Sequence, residues 1–307
     1  MKTLNPSRRP TALKRASFTA ALFLLAGWLA TSAHAGVVFT SLYSFTGTND
    51  GANPEAGLVQ GTDGYLYGTT AHEGGSLHTF VTSFKGGFRT NSSYGFGTVF
   101  KISTNGALAT LYAFGTVYTN AAVPRLIPID GGNPQAGLIQ GSDGNFYGAT
   151  FAGGTNTNEL AISYNSGEFN GYGTVFKINT NGVLTTLYAF GMITEEYGGG
   201  GDGAPFDVSL DGQNPTAGLI QSSDGNFFGT TESGGVGGDG GTVFKLSTNG
   251  VLTNLYSFSG YDGDDPEAGL VQGSDGNLYG TTSEGGIGWD DNEDYNSAFG
   301  IVFKINP

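Results

Sequence analysis

The feature that most constrains this sequence is a motif that occurs four times. Its first copy, AGLVQGTDGYLYGTT, spans residues 56–70, and close copies begin at residues 136, 217 and 268. A second motif, GTVFKISTNGALATLYAF, begins at residue 97, returns at residues 173 and 241, and continues only as GIVFKINP from residue 300. Repeats of this length indicate a fold built from equal supersecondary units.

Each repeat is predicted to form two β-hairpins. In the first motif, two apolar segments flank an Asp-Gly dipeptide, and in the second motif two such segments flank Asn-Gly. Both dipeptides favour the positive φ angles that hairpin turns need. The pattern predicts four antiparallel strands per unit and no helix after residue 35. Four-stranded units repeated along a chain are typical of β-propeller blades.

We therefore expect an all-β fold, a small β-propeller of four four-stranded blades, over residues 36–307. Units 1, 2 and 3 are predicted at about 46–114, 115–190 and 191–258, and unit 4 at 259–307 together with 37–45. Segment 37–45 resembles the strand that follows each Asn-Gly turn. It is predicted to complete the last blade and close the ring, because closure removes an exposed sheet edge. A stacked solenoid and a larger ring made by two chains are the alternatives.

The first 35 residues have the composition of an export signal. They carry five basic residues and no acid, followed by an apolar run over about 16–30 and by Ala33-His34-Ala35, a small-x-small cleavage signature. The apolar run is short for a membrane span. We predict a signal peptide over 1–35 and a secreted, periplasmic or cell-surface protein. No apolar tail follows residue 305, so neither a C-terminal anchor nor a membrane span after cleavage is expected.

Charge and residue usage exclude several classes of function. Residues 36–307 carry seven basic against 26 acidic residues, a net charge of −19, which disfavours nucleic acid and anionic membranes as partners and favours cations. The absence of cysteine excludes disulfides, thiolate metal sites and a cysteine nucleophile. The sequence contains no G-x-S-x-G, H-E-x-x-H or phosphate-loop motif, so no catalytic residue is predicted.

Alternating strand direction assigns the loops of each unit to two faces. The short Asp-Gly and Asn-Gly turns share one face. The joins of variable length, which include 71–96, 115–132, 151–172, 191–213 and 283–299, share the other, which we call the join face. All but four of the 26 acids lie in joins. Variable loops on a rigid scaffold commonly carry binding sites, so the join face is predicted to be acidic, irregular and functional.

Two acid-rich stretches of unit 4 are the candidate metal ligands. Oxygen ligands interspersed with glycine suit calcium, although neither stretch has EF-hand spacing, and the alternative is solvated loops that aid solubility. The candidate ligands are Asp262, Asp264, Asp265, Asp290, Asp291, Glu293 and Asp294.

Aromatic residues of the join face are candidates for stacking on sugar rings. Burial under the joins is the alternative for each of them. The candidates are Tyr197, Phe206, Tyr261, Trp289 and Tyr295. By contrast, the Asp of each Asp-Gly turn is expected to serve turn chemistry, and the Gln that ends each first strand is expected to satisfy neighbouring backbone groups.

The motifs GTVFKI, LYAF, NP-AGLIQ and SDGNFYGTT with a following Gly-Gly resemble the Gloeo/Verruco (GloVer) tandem repeat over nearly all of 37–306. This family is similar to exported bacterial proteins called choice-of-anchor. The resemblance implies a surface or secreted repeat protein with no established activity, and the family offers no known catalytic residues to carry over. SDGNFYGTT also resembles, more loosely, propeller repeats in sensor domains of two-component regulators, which supports the fold and not a function.

The sequence thus favours a non-enzymatic binding or surface-interaction propeller. Its ligand, a polysaccharide or another cell-surface component, is expected on the acidic join face with calcium as a candidate cofactor, and the chain is expected to be a monomer. Two other functions stay open, namely a calcium-dependent enzyme acting on carbohydrate or lactone, and a purely structural envelope protein.

Overall fold

The computed structural model describes most of the chain after residue 36. The backbone is described for residues 37–75, 78–84, 87–93, 95–115, 117–120, 123–154, 171–191, 194–197, 206–237, 240–288 and 298–307. These residues form β-strands and no helix, which confirms the all-β prediction. The predicted signal peptide lies outside the described residues. Residues 37–40 form no regular structure, and residues 41–307 form a separate body, to which the following description applies.

Four antiparallel sheets follow one another along the chain, one per predicted unit. Sheet 1 contains β1 (Val59–Gln60), β2 (Leu66–Thr70), β5 (Thr98–Ile102) and β6 (Leu108–Ala113). Sheet 2 contains β9 (Ile139–Gln140), β10 (Phe146–Thr150), β11 (Thr174–Ile178) and β12 (Leu184–Ala189). Sheet 3 contains β15 (Ile220–Gln221), β16 (Phe227–Thr231), β17 (Thr242–Leu246) and β18 (Leu252–Ser257). Sheet 4 contains β19 (Val271–Gln272), β20 (Leu278–Thr281) and β21 (Val302–Ile305).

The strands of each sheet pair in chain order, as the two predicted hairpins require. In the first hairpin of sheet 1, Val59 pairs with Tyr67. The backbone N–H of Gly61 donates to the carbonyl of Tyr65 at 2.8 Å, and Gly64 has a φ of +85°. Only the glycine of the Asp-Gly dipeptide has a positive φ. Gly64 therefore provides the backbone conformation of the turn, and the Asp side chain can accept hydrogen bonds from other groups.

Three joins contain hairpins of their own. These are β3 (His78–Phe84) with β4 (Gly87–Ser93), β7 (Val117–Asn120) with β8 (Val123–Pro128), and β13 (Thr194–Tyr197) with β14 (Phe206–Ser209). The prediction of irregular joins was therefore wrong for these three. Their β-branched and aromatic residues, as in HTFVTSF of β3, favour strands even where no second motif announces them.

The hydrophobic core lies between successive sheets. We call the side of a sheet that faces the next sheet its following side, and the opposite side its preceding side. Tyr67 on the following side of sheet 1 stacks on Phe146 of sheet 2, with ring centroids 3.9 Å apart, and Tyr147 and Phe227 make the equivalent contact at 4.1 Å. Three buried clusters of this kind join sheets 1 to 4 pairwise. Burial of apolar surface between sheets is thus what holds consecutive units together.

The contacts between neighbouring units are nearly the same at each step. The phenylalanine that ends an LYAF-like segment packs against a phenylalanine of the next unit. The contact is edge-on at 5.4 Å for Phe114–Phe176 and for Phe190–Phe244, and tilted at 5.2 Å for Phe258–Phe303. The AGL segments of successive units also lie against one another. Each unit is therefore placed on the previous one by a single repeated packing arrangement.

The predicted closure of the ring does not appear in the structure. Segment 41–45 lies against sheet 1, where the Phe45 and Phe100 rings are 5.2 Å apart at 65°. This is the position that Phe114 takes relative to sheet 2. Among the described residues, no strand pairs with the outer edge of β21, so sheet 4 has three strands. The four antiparallel sheets are confirmed, whereas a closed four-blade ring is not.

Candidate functional site

Asp262, a candidate metal ligand, forms hydrogen bonds within its own join. Its carboxylate accepts hydrogen bonds from the Tyr256 hydroxyl and from the Ser259 backbone N–H at 2.9 Å. Burial raises the pKa of Asp262, but these hydrogen bonds outweigh it and hold the pKa below its usual range. The carboxylate therefore stabilises the join in the absence of any ligand.

The same tyrosine–aspartate hydrogen bond occurs at the start of all four units. The tyrosine belongs to an LYAF-like segment, and the aspartate opens the corner that leads into the next AGL segment. The other pairs are Tyr43–Asp50 at 2.9 Å, Tyr112–Asp130 at 2.7 Å and Tyr188–Asp211 at 2.6 Å. A contact that recurs in every unit, whatever the length of the join, is structural, and Asp262 belongs to this set.

Each of these aspartates begins a five-residue corner with the sequence Asp-Gly-x-Asn/Asp-Pro. The corners are 50–54, 130–134, 211–215 and 262–266. The glycine has a positive φ, +106° at Gly131, and an added Cβ there would collide with the Thr150 hydroxyl. The fourth residue also has a positive φ, from +53° to +57°, which asparagine and aspartate tolerate best among residues with a side chain. The backbone geometry of the corner thus determines which residue types can occupy its second and fourth positions.

The corner of unit 4 differs from the other three in its charge. Asp264 pairs with Glu284 in a β-bridge, where the corresponding pair in unit 3 is Gln213 with Ser233. Asp265 stands where the other corners have asparagine. Glu232 and Glu267 also interact electrostatically with Asp265, so five acids lie at the boundary between sheets 3 and 4. We call this set the boundary acid cluster.

The boundary acid cluster perturbs Asp265 strongly. Burial is the largest cause, followed by repulsion from Asp264, Glu232, Glu284 and Glu267, and together they raise the Asp265 pKa from 3.8 to about 7. A carboxyl with a raised pKa is also what a general acid needs. However, the Asp265 backbone carbonyl accepts the Ser283 N–H at 3.0 Å, and the backbone carbonyls of the corner asparagines accept the equivalent bonds in their units. The backbone of Asp265 therefore has the same structural role as that of the asparagines.

The calcium prediction finds no complete site in the described residues. Among them, no group of three or more His, Asp or Glu residues has an arrangement that could hold a metal ion. Asp264 uses Oδ1 to accept the backbone N–H of Asp265 at 3.2 Å. The other four candidate ligands, Asp290, Asp291, Glu293 and Asp294, lie outside the described residues. Calcium binding therefore stays a prediction.

The aromatic candidates fall into three groups. Tyr261 lies in the unit 4 join, directly before the corner, and is 63% exposed. Tyr197 and Phe206 are register partners across the β13–β14 hairpin, so the fold brings these two positions together. Trp289 and Tyr295 lie outside the described residues.

Two expectations about repeated polar residues are confirmed. The turn residue Asp143 accepts the Asn145 N–H at 3.1 Å and the Tyr147 hydroxyl at 2.8 Å. Gln140, which ends the first strand of unit 2, accepts the Thr62 N–H of unit 1 at 3.0 Å and donates to the Gly144 carbonyl at 3.0 Å. Gln221 repeats both bonds one unit later. These glutamines satisfy backbone groups and also link one unit to the next.

The fold and the repeated corner define an all-β tandem-repeat protein built from four antiparallel sheets. Residues 202–307 match the family model of the Gloeobacter/Verrucomicrobia repeat, and the same motifs recur in the preceding units. Residues 202–307 thus contain a Gloeobacter/Verrucomicrobia repeat, as the resemblance of the motifs indicated. No curated protein matches the sequence.

Solved structures resemble the chain only distantly. A luciferin-regenerating enzyme is 11% identical, with 84% of this chain and 91% of that chain covered and a TM-score of 0.26. A putative exo-β-1,3-galactanase from Bifidobacterium bifidum is 10% identical, with 85% and 93% covered and a TM-score of 0.26. A gluconolactonase from Xanthomonas campestris is 11% identical, with 84% and 97% covered and a TM-score of 0.20. Similarity at this level carries no argument about function.

In the part of the chain that the structure describes, no helix is long and apolar enough to cross a membrane.

Proposed function

We propose that the chain is an exported, non-enzymatic binding module whose ligand contacts the join face. The ligand is a polysaccharide or another cell-surface component that carries positive charge. The observation that carries the proposal is the boundary acid cluster, which the fold itself does not require. Its counterparts at the boundary between sheets 2 and 3 include the neutral residues Gln213, Asn214 and Ser233.

The boundary acid cluster lowers the stability of the fold. The raised pKa of Asp265 means that its ionised form is disfavoured in the folded protein. Features that reduce stability without a structural need are characteristic of functional sites. A cationic group bound at the join face would offset the repulsion among these carboxylates, so the cluster favours a positively charged ligand.

An exposed aromatic ring lies in the same join. Tyr261 precedes the corner that contains Asp264 and Asp265, and its side chain is 63% exposed. Aromatic faces with a polar rim suit the apolar faces of sugar rings. An aromatic ring next to carboxylates supports an amino-sugar polymer as the ligand, because such a polymer presents both sugar faces and ammonium groups.

Co-sedimentation with chitin and with chitosan that is cross-linked to keep it insoluble tests this proposal. At about pH 6 we expect the protein to bind chitosan, which is cationic, more tightly than chitin, which is neutral, and binding should weaken as salt is added. The double variant Glu232→Gln/Glu284→Gln should bind chitosan about ten-fold more weakly, because each partly exposed charge contributes up to about 1 kcal/mol.

The matched control is Glu55→Gln, which removes an exposed acid of unit 1 and should leave binding unchanged. Tyr261→Ala should weaken binding to both polymers. Failure to bind either polymer, or equal binding by the double variant and the control, would contradict the proposal.

Calcium is proposed as the cofactor of the same face, through Asp264 and Asp265 together with the acids of 290–294. An ion that binds only the folded protein raises its melting temperature. Calcium should therefore give a saturable rise of several degrees that magnesium does not reproduce and that a chelator abolishes. An unchanged melting temperature would remove calcium from the account and leave the acids as contacts for a cationic ligand.

A further inference from the structure

The two ends of the repeat array expose surfaces that are buried everywhere else in the described chain. On the following side of sheet 4, Val302 is 80% exposed, although its counterparts in the other sheets are fully buried. Those counterparts are Val99, Val175 and Val243, each 0% exposed. Likewise Phe299 is 93% exposed, whereas its counterpart Phe96 in unit 1 is 3% exposed. Sheet 4 therefore presents one uncovered half of an inter-sheet core.

The preceding side of sheet 1 presents the other half. Leu58 is 51% exposed, whereas its counterparts Leu138, Leu219 and Leu270 are 5%, 2% and 4% exposed. Leu66 is partly exposed, although the residues in its position in the next two sheets, Phe146 and Phe227, are fully buried. The described residues thus form three complete inter-sheet clusters and two complementary halves of a fourth, one at each end of the array.

The fourth strand that sheet 4 lacks is also present, at the opposite end of the array. Segment 41–45 has the SLYSF sequence of a fourth strand and already packs Phe45 on Phe100 of sheet 1. In sheet 2, Val175 pairs with Tyr188 across the equivalent strands. Aligning the repeats predicts the same pairing between Val302 and Tyr43. The preceding side of sheet 1 therefore supplies both the apolar residues that would cover sheet 4 and the strand that would pair with the edge of β21.

We propose that the following side of sheet 4 binds the preceding side of sheet 1, with its segment 41–45, in a second copy of this chain. Closure within one chain would bring the same surfaces together. However, three nearly equal steps between units leave both end surfaces exposed. Closing the ring would require the side-chain packing of all three inter-sheet clusters to change together. Close-packed interiors resist such a change. A second copy covers both ends and leaves these cores unchanged.

The contact is head-to-tail, so it joins two different surfaces and forms a ring when the last copy meets the first. The internal boundaries show which polar contacts it should contain. Thr62 N–H donates to Gln140 across the first boundary, and Ser142 N–H donates to Gln221 across the second. The equivalent bond between copies runs from the backbone N–H of Ser274 to Gln60.

Light scattering coupled to gel filtration tests the proposal on protein recovered after expression of the full-length chain. The mass should be a whole multiple, two or more, of the single-chain mass. Val302→Asp and Leu58→Asp each place a charge in the contact and should raise the dissociation constant about 100-fold. The matched control is Val183→Asp, at a 63% exposed turn position away from both ends, which should keep the wild-type mass.

Mixing the two disrupted variants separates assembly from closure within the chain. The Val302→Asp protein keeps an intact sheet 1 surface, and the Leu58→Asp protein keeps an intact sheet 4 surface. Each variant alone should have the single-chain mass, and an equimolar mixture should form a dimer through the one intact contact. A single-chain mass for the wild-type protein at every concentration would overturn the proposal. If Val302→Asp and Leu58→Asp also lowered the melting temperature of that monomer, the two ends would meet within one chain.

Discussion

Replacing Asp265 by asparagine should stabilise the protein above neutral pH. The side chain stands in a corner where three other units have asparagine, and Asn214 uses its Nδ2 to donate to the Phe151 carbonyl at 2.9 Å. Glu232 is the counterpart of Phe151, so the side-chain amide introduced by Asp265→Asn would find the same kind of carbonyl acceptor. An ionised carboxylate cannot donate this bond and is repelled by the acids around it.

The expected size of the effect comes from the pKa of Asp265. Its folded value of about 7 lies above the usual 3.8, so the proton is held more tightly in the folded state. Well below pH 3.8 both states are protonated and the carboxyl costs no stability. As the pH rises towards 7 the unfolded state ionises first, so stability is lost and stays low above pH 7. Without solvent screening the loss is about 4 kcal/mol, and because Asp265 is only partly buried we expect about 2 kcal/mol.

Thermal and urea unfolding at several pH values measures this effect. At about pH 8, Asp265→Asn should exceed the wild-type protein by about 2 kcal/mol, or roughly 4–8 °C in melting temperature. The difference should vanish at about pH 3, where both states are protonated. Asn214→Asp is the reciprocal control and should destabilise the protein at about pH 8. An equal gain at both pH values, or none at pH 8, would refute the assignment of the cost to the ionised carboxylate.

Three further results are expected. Tyr188→Phe should lower the free energy of unfolding in urea by about 1–3 kcal/mol, because it removes the tyrosine donor of a buried aspartate. Tyr256→Phe should lower it less, because the equivalent pair there is more exposed. Gly148→Ala should lower the free energy of unfolding by about 1–3 kcal/mol, because the added Cβ would lie 2.7 Å from a leucine methyl and 2.8 Å from a phenylalanine ring. The control Gly57→Ala should be near neutral, because a Cβ at that position meets nothing within 4 Å. Mass spectrometry of the exported protein should give Gly36 as the first residue, and an uncleaved chain would contradict the signal-peptide prediction.

The sequence predicted the sheets well because their signals are local. Each Asp-Gly or Asn-Gly turn joins neighbouring strands, so the pairing order within sheets 1 to 3 follows from chain order alone. The repeated glutamines were assigned correctly for a similar reason, since a polar residue that ends every first strand must satisfy backbone groups nearby.

The tyrosine–aspartate pairs escaped prediction because the joins vary in length. The aspartate follows its tyrosine by 7, 18, 23 and 6 residues in the four units, so no fixed spacing reveals the pair. The signal that was available is the corner sequence Asp-Gly-x-Asn/Asp-Pro, which occurs once per unit. Without it, the sequence names Asp262 only as a candidate metal ligand, and its hydrogen bond with Tyr256 is not predicted.

Ring closure could not be predicted from sequence because similarity identifies a strand and not its partner. Segment 41–45 has the sequence of a fourth strand, but the same sequence fits sheet 4 of its own chain or of another copy equally well. The choice depends on the angle between successive units, which is set by the packing of Tyr67 on Phe146 and its equivalents. Side-chain packing of this kind is visible only in three dimensions.

Amide hydrogen exchange along β21 tests the central claim, that one repeated contact holds the units together and is left open at both ends of the chain. The account predicts rapid exchange in dilute protein for the N–H groups of segment 41–45 and for those N–H groups of Val302–Ile305 that point away from β20. They should become protected together as the protein concentration rises, while β5, β11 and β17 stay protected throughout. Protection of β21 that is equally strong at every concentration would contradict the account, because the two ends would then meet within a single chain.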